Sequence, residues 1–313
     1  MASVKIKEDT EKYKTYLNLT DLSVESRLRY ADFLLLAGDY KSLQTEAAEL
    51  AKTPNANLKV HRYVAYSAVE NKDYASAIVA INKFIGEAGE KRIIPRDYMY
   101  LGRAQIGTGN DSAGVNSLRK ALTLDTTQAD VYGEIAKSLY NMKKYAEAGD
   151  AYKAFISKSR TATLNDYFKE GVSYYNAFKA QYYSTATPKP TPDTTLLNKA
   201  DSAFTYIQTK SPVATVALYQ ARANDFREPS RNSSMGYAKP YYEKYIELVN
   251  AKPPVADADK PYLGEAYVWL AVYAEYQQKD TAKAAELYAK AREFDPTNKQ
   301  VTAYFKRKGS TGK

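Results

Sequence analysis

Apolar residues near the start of the chain recur at helical spacing in two successive runs, over residues 28–36 and 43–50. Because residues three or four positions apart share one face of an α-helix, each run predicts an amphipathic helix. The short polar turn Gly38-Asp39 between the runs indicates that the second helix folds back beside the first. The pattern therefore predicts a helical hairpin, which can bury its apolar faces only against neighbouring hairpins.

The hairpin pattern repeats with a period of 34 residues in two stretches of the chain. In the first stretch, Ala31 and Tyr40 correspond to Ala65 and Tyr74. In the second stretch small residues match small ones and large residues mostly match large ones, with Tyr132, Ala136, Ala148, Tyr152 and Phe155 corresponding to Tyr98, Gly102, Gly114, Leu118 and Ala121. A small residue in the first helix lets the second helix approach closely. A fixed period of this length predicts an array of stacked hairpins.

These positions resemble the tetratricopeptide repeat (TPR), whose pattern combines aromatic residues, Leu-Gly, later small positions and a final Pro. The resemblance is carried in the third unit by Tyr98, Leu101, Gly102, Gly114, Leu118 and Ala121, and in the last unit by Tyr267, Leu270, Ala271, Ala284, Tyr288, Ala291 and Pro296. It implies an all-α fold, a right-handed α-solenoid of about seven stacked hairpins.

The repeat register predicts how the chain is divided. Residues 11–19 look like the second helix of a unit whose first helix is missing, so we expect the chain to be a piece of a longer repeat protein. The predicted division is a remnant helix over 1–21, four regular units over 22–162, a fifth unit over 163–212 with a Pro-rich insertion at 184–193, a sixth unit over 213–252 with a loop insertion at 227–236, a last unit over 253–296 and a C-terminal capping helix over 297–308.

Residue counts restrict the chemistry open to this chain. It has one histidine, His61, and no cysteine. Cys–His nucleophile pairs, His-containing serine triads and thiolate or histidine zinc sites are therefore unavailable. The glycines of residues 105–114 fit neither a dinucleotide-binding nor a phosphate-binding motif, and Gly107 and Gly109 are expected in the inter-helix turn. No catalytic, cofactor-binding or metal-binding residue is predicted, and we interpret the chain as non-enzymatic.

The net charge of +9 is compatible with an acidic partner, a membrane surface or nucleic acid. Lys and Arg are mostly interspersed with Asp and Glu, and no DNA or RNA motif is present, so nucleic acid is not an expected partner. No apolar run approaches the roughly 18 residues of a membrane span. The surplus charge and the 30 tyrosines resemble large repeat proteins of the bacterial cell envelope. That composition favours the periplasm or envelope, while the cytoplasm and the oligomeric state stay open.

The TPR resemblance also implies a binding surface, because in that family the first helix of each unit lines a concave groove for peptides or partner helices. Equivalent positions in this chain are cationic with aromatic neighbours. Tyrosines outside the repeat core positions, including Tyr66, Tyr140, Tyr175 and Tyr183, suit recognition because the ring gives a large contact area at low entropic cost. The candidate partner-binding residues are Arg62, Tyr66, Arg103, Lys137, Tyr140 and Tyr175.

The sequence thus predicts a non-enzymatic scaffold that binds a peptide or a partner protein through this groove. Two alternatives stay open at this stage. The chain could be a sensory or regulatory module that binds a small ligand or a cell-wall fragment, or it could be the non-catalytic part of a larger enzyme.

Overall fold

The computed structural model describes residues 8, 10–15, 17, 19, 22–54, 56–230 and 233–310. Within them the regular structure is helical, with no strand, so the predicted all-α fold class is confirmed. The α-helices are α1 (Val24–Ala37), α2 (Tyr40–Leu50), α3 (Lys59–Glu70), α4 (Tyr74–Ala88), α5 (Pro95–Gly107), α6 (Asp111–Leu124), α7 (Ala129–Asn141), α8 (Tyr145–Lys158), α9 (Leu164–Tyr182), α10 (Thr195–Lys210), α11 (Ala214–Asp225), α12 (Lys239–Asn250), α13 (Lys260–Tyr276), α14 (Thr281–Phe294) and α15 (Lys299–Ser310).

The helices belong to two compact units, residues 1–143 and 144–313. In the first unit each helix from α1 to α7 packs against the next, and α3 also contacts α1 and α5. In the second unit each helix from α8 to α15 packs against the next, and α9 also contacts α11. Contacts between successive helices and between alternate helices are those of stacked hairpins.

Sequence stretches outside these helices include both predicted insertions. Residues 184–193 connect α9 to α10 without regular helix, and residues 227–236, of which 231 and 232 are not described, lie between α11 and α12. Residues 10–15 are helical, while most of the rest of the predicted remnant helix over 1–21 lies outside the described residues. Among the helices that the structure describes, none combines the length and the apolarity needed to cross a bilayer.

The same type of turn connects the two helices in several hairpins. A residue with positive φ, such as Gly38 (φ 72°) or Gly109 (φ 83°), is followed by an Asp or Asn that caps the next helix. Asp39 accepts a hydrogen bond from the backbone N–H of Ser42 at 3.1 Å, which satisfies one of the unpaired donors at the start of α2. Gly109 thus occupies the predicted turn, because glycine adopts this left-handed conformation without steric cost. Gly107, predicted in the same turn, is instead the last residue of α5.

Two glycines bring α5 and α6 into close contact. A Cβ atom on Gly102 would stand 2.9 Å from the carbonyl oxygen of Gly114, and one on Gly114 would stand 2.8 Å from the carbonyl oxygen of Gly102. The two backbones therefore touch at this point, with Leu118 and Ile106 packed around them. This contact is the physical reason for the small residues that recur in the repeat pattern.

Gly102→Ala should lower the free energy of unfolding by about 1–2 kcal/mol. Overpacking against the Gly114 backbone costs about 1–3 kcal/mol, and the better helix propensity of alanine returns only about 0.5–1 kcal/mol. Gly86→Ala in α4 is the matched control, since a Cβ there meets nothing within 4 Å and should stabilise the protein. Urea unfolding of both variants measures the difference, and a stabilised Gly102→Ala protein would contradict the close contact.

Tyrosine hydroxyls link neighbouring hairpins of the first unit. Tyr63 on α3 donates a hydrogen bond to Asp32 on α1 at 2.6 Å. Tyr100 on α5 donates one to Glu70 on α3 at 2.9 Å. Each tyrosine places its ring in the core and its hydroxyl on a carboxylate of the adjacent first helix. Part of the high tyrosine content is therefore structural.

Candidate interaction surface

The predicted binding residues lie on the first helices of the hairpins. Arg62 and Tyr66 are on α3, Arg103 is on α5, and Lys137 and Tyr140 are on α7, all within the first unit. Tyr175 is on α9 in the second unit. The structure therefore presents two separate candidate surfaces, one for each unit.

A buried carboxylate organises the first of these surfaces. Asp97 on α5 is 0% exposed and accepts hydrogen bonds from Nε and Nη2 of Arg62 at 2.7 and 2.8 Å. It also accepts one from the Tyr66 hydroxyl at 2.7 Å and one from the backbone N–H of Ile94 at 2.8 Å. Burial, reinforced by the charge of Asp97, raises the pKa of Tyr66 well above its ordinary value. This network joins α3 to α5.

The sequence interpretation of Tyr66 as a residue outside the core is wrong. Its side chain is 1% exposed, and its ring stacks on Tyr100 with 4.1 Å between the centroids. The reason is Asp97, 31 residues further along the chain, which gives the hydroxyl a buried partner. Arg62 keeps 15% of its side chain exposed, and it donates hydrogen bonds to the same carboxylate and to the carbonyl oxygen of Arg92.

The remaining cations of this surface fall into two groups. Arg103 forms a bidentate ion pair with Glu134 on α7, with contacts of 2.6 to 3.0 Å, so its charge is balanced. Lys137 is exposed and forms no ion pair with any described residue. Arg96 on α5, which the sequence analysis missed, is also exposed and forms none, and its guanidinium lies 5.7 and 5.8 Å from the ring centroids of Tyr66 and Tyr100.

The charged residues of this surface lie on one face of α5 and one face of α7. Arg96 and Arg103 are seven residues apart on α5, and Glu134 and Lys137 are three apart on α7, so each pair shares a helix face. The Arg103–Glu134 ion pair joins the two faces. We call the area formed by Arg96, Arg103, Glu134, Lys137 and the half-buried Tyr140 the cationic face.

The second surface is a cavity of about 480 Å³ beside Tyr175. The Tyr175 side chain is 6% exposed, so its interpretation as a residue outside the core is also wrong. First helices α9, α11 and α13 form its walls together with Tyr242 of α12, the start of α15 and the connection between α11 and α12. The lining is rich in aromatic rings, and its residues are Tyr175, Asn176, Lys179, Tyr183, Tyr219, Arg222, Asp225, Phe226, Ser234, Tyr242, Glu265, Val268, Trp269, Val272, Tyr273, Asn298 and Gln300. We call it the aromatic cavity.

Ion pairs and hydrogen bonds fix the walls of the aromatic cavity. Arg222 donates Nε and Nη2 hydrogen bonds to the two carboxylate oxygens of Glu265 at 2.8 and 2.6 Å, and Tyr242 donates to Glu265 at 3.1 Å. Burial disfavours the charged form of Arg222 and by itself would lower its pKa. The hydrogen bonds to Glu265 and the negative charge of Glu265 outweigh this effect, so the pKa of Arg222 is raised. The indole N–H of Trp269 donates to Asp225 at 2.6 Å.

The described residues offer little to metal ions. None of their His, Asp and Glu side chains form a group of three that could hold one. His61 is half-buried, and burial followed by the charge of Lys83 lowers its pKa, which favours the neutral imidazole.

Solved structures similar to this chain are TPR proteins. The C-terminal part of a TPR repeat-containing protein from Cytophaga hutchinsonii is 26% identical, with a TM-score of 0.57 over 88% of this chain and 98% of that one. The chain has a TPR-like fold. YrrB, described as a TPR protein with an unusual peptide-binding site, is 15% identical with a TM-score of 0.48 over 68% of this chain and 99% of its own. MamA from Desulfovibrio magneticus is 15% identical with a TM-score of 0.41 over 63% and 97%.

No family model matches the sequence, and no curated protein matches it either. The TPR-like fold accounts for where the candidate residues lie, because it places them on first helices. It does not distinguish the engaged cations from the unpaired ones. That distinction depends on acidic partners such as Asp97 and Glu134, which come from neighbouring hairpins.

Proposed function

We propose that this chain is a non-enzymatic interaction scaffold that binds an acidic peptide or an acidic segment of a partner protein on the cationic face. The observation that carries the proposal is the pair of exposed cations, Arg96 and Lys137, which form no ion pair with the described part of the chain. Both belong to first helices. The neighbouring Arg62 and Arg103 already have carboxylate partners. Their ion pairs stabilise the packing of the first helices against one another.

The chemistry of the cationic face specifies the partner further. A carboxylate near Arg96 or Lys137 gains Coulomb attraction that decreases with ionic strength, because exposed charges are screened by salt. Apolar groups of the partner can rest on the exposed rim of Tyr140. The overall charge of +9 adds long-range attraction and speeds association with an acidic partner.

Peptides selected from a random library on the immobilised chain provide the test. We expect them to be enriched in Asp and Glu, and we expect the double variant Arg96→Glu plus Lys137→Glu to bind them about tenfold more weakly at low salt. The difference should shrink as salt increases. Arg103→Glu is unsuitable for this purpose, because it would place a second carboxylate against Glu134 and destabilise the fold.

Lys41→Glu plus Lys83→Glu is the matched control, since both lysines are exposed on second helices, α2 and α4, and the pair makes the same charge change as the double variant away from the cationic face. It should retain the affinity of the unmodified chain. Equal affinities for the control, the double variant and the unmodified chain would refute the cationic face as the binding surface.

A further inference from the structure

The aromatic cavity has rigid walls that are already assembled. The Tyr175 and Tyr219 rings meet edge to face with centroids 5.3 Å apart, and the Trp269 indole stacks on Tyr273 at 5.5 Å. Trp269 also contacts Tyr242 at 5.4 Å. Because neighbouring rings hold each ring in place, a ligand that enters the cavity meets flat aromatic surfaces with little loss of side-chain entropy.

The charges that line the cavity are balanced within it. Arg222 and Glu265 neutralise one another, and Asp225 accepts the hydrogen bond of Trp269. Lys179 is exposed and forms no ion pair within the described residues. With two cations and two carboxylates in the lining, the cavity has no formal charge to attract an ionic ligand. A neutral ligand therefore fits it better than a charged one.

Several neutral polar groups in the cavity have no protein partner. Among the described residues, the hydroxyls of Tyr175, Tyr183, Tyr219 and Tyr273 make no hydrogen bond, and neither does the side-chain amide of Gln300. In that part of the chain, every fully buried side-chain nitrogen or oxygen atom has a hydrogen-bond partner. The hydroxyl of Tyr175 has no partner there, so it cannot be fully buried and must reach open space. Phenol and amide groups can donate and accept hydrogen bonds, which suits a ligand that carries hydroxyls.

We propose that the aromatic cavity binds a neutral saccharide of one or two sugar rings. A pyranose ring has a flat C–H face that can lie on an aromatic ring and a rim of hydroxyls that can pair with the free phenol and amide groups. The volume of about 480 Å³ lies in the range of small-ligand sites. Side chains from α9, α11, α12, α13 and α15 converge on one cavity, which suits a compact ligand better than an extended peptide.

The only tryptophan of the chain, Trp269, lines this cavity and reports directly on its occupancy. The test is a fluorescence titration of the full chain with maltose, cellobiose, lactose and N,N′-diacetylchitobiose. We expect a saturable change in emission with at least one of these neutral disaccharides. Tyr183→Ala should weaken that binding about tenfold, since Tyr183 is 63% exposed at the rim and supplies one stacking surface.

Two further variants make the result specific. Tyr206→Ala removes a tyrosine that is 39% exposed on the second helix α10, outside the cavity, and should leave the affinity unchanged. The Arg96→Glu plus Lys137→Glu protein should bind the sugar normally, so this proposal and the proposed peptide binding can fail independently.

Three outcomes would overturn the saccharide proposal. The first is a flat titration with every disaccharide. The second is an affinity that Tyr183→Ala leaves unchanged. The third is a Trp269 response to the library-selected acidic peptides but to none of the sugars, which would assign the cavity to a peptide.

Discussion

Replacing Asp97 by alanine should lower the free energy of unfolding by about 3–5 kcal/mol, because it leaves the largely buried guanidinium of Arg62 without its carboxylate. The same change removes the acceptor of the Tyr66 hydroxyl and of the Ile94 backbone N–H. Urea denaturation followed by circular dichroism measures the loss.

Asp130→Ala is the matched control for Asp97. Both residues lie in the first turn of a helix, α5 or α7, where a carboxylate interacts favourably with the helix dipole. Asp130 is exposed, so its replacement should cost only about 0.3–1 kcal/mol. Equal losses in the two variants would show that the Asp97 network contributes nothing beyond the dipole interaction.

Glu170→Gln should stabilise the protein increasingly as pH rises from about 4.5 to 8. Glu170 on α9 is 8% exposed, and burial raises the pKa of its carboxyl to about 7, with the charges of Lys153, Asp150 and Lys199 as smaller influences. A raised pKa in the folded state means that the contribution of Glu170 is complete below its unfolded pKa and is lost as pH rises through about 7. Glutamine cannot ionise and avoids this loss.

The expected gain above pH 7 is roughly 3 kcal/mol, since one pKa unit corresponds to about 1.4 kcal/mol. Stability curves of the two proteins against pH measure it. Glu293→Gln serves as the control for replacing a carboxyl by an amide, because Glu293 is exposed on α14. Parallel curves for Glu170→Gln and the unmodified protein would show that folding does not shift the pKa of Glu170.

Much of the fold follows from local sequence. The 34-residue period and the small residues at Gly102 and Gly114 predict paired helices with a close backbone contact, and the structure has that contact. Gly38-Asp39 predicts a tight turn because glycine tolerates positive φ and aspartate caps a helix. These features depend on residues near one another in sequence, so a single chain is enough to reveal them.

The surfaces depend on more distant partners. Tyr66 and Arg103 are each placed correctly on a first helix, but their burial and charge balance come from Asp97 and Glu134 in the next hairpin. The repeat period predicts on which face of a helix a residue lies. It does not predict which partner the side chain contacts there. The aromatic cavity likewise combines side chains from residue 175 to residue 300, and no local pattern brings them together.

The hydrogen bonds from tyrosine hydroxyls to carboxylates of neighbouring hairpins also limit how the number of hairpins in such an array can change. Removing the α3–α4 hairpin would delete Tyr63 and Tyr66 together, so Asp32 would lose its hydroxyl donor and Asp97 would stay buried without one. Tyr100 would at the same time lose its acceptor, Glu70. Duplication or deletion of this hairpin in evolution would therefore require compensating substitutions in both neighbours, although the repeat period alone would permit it.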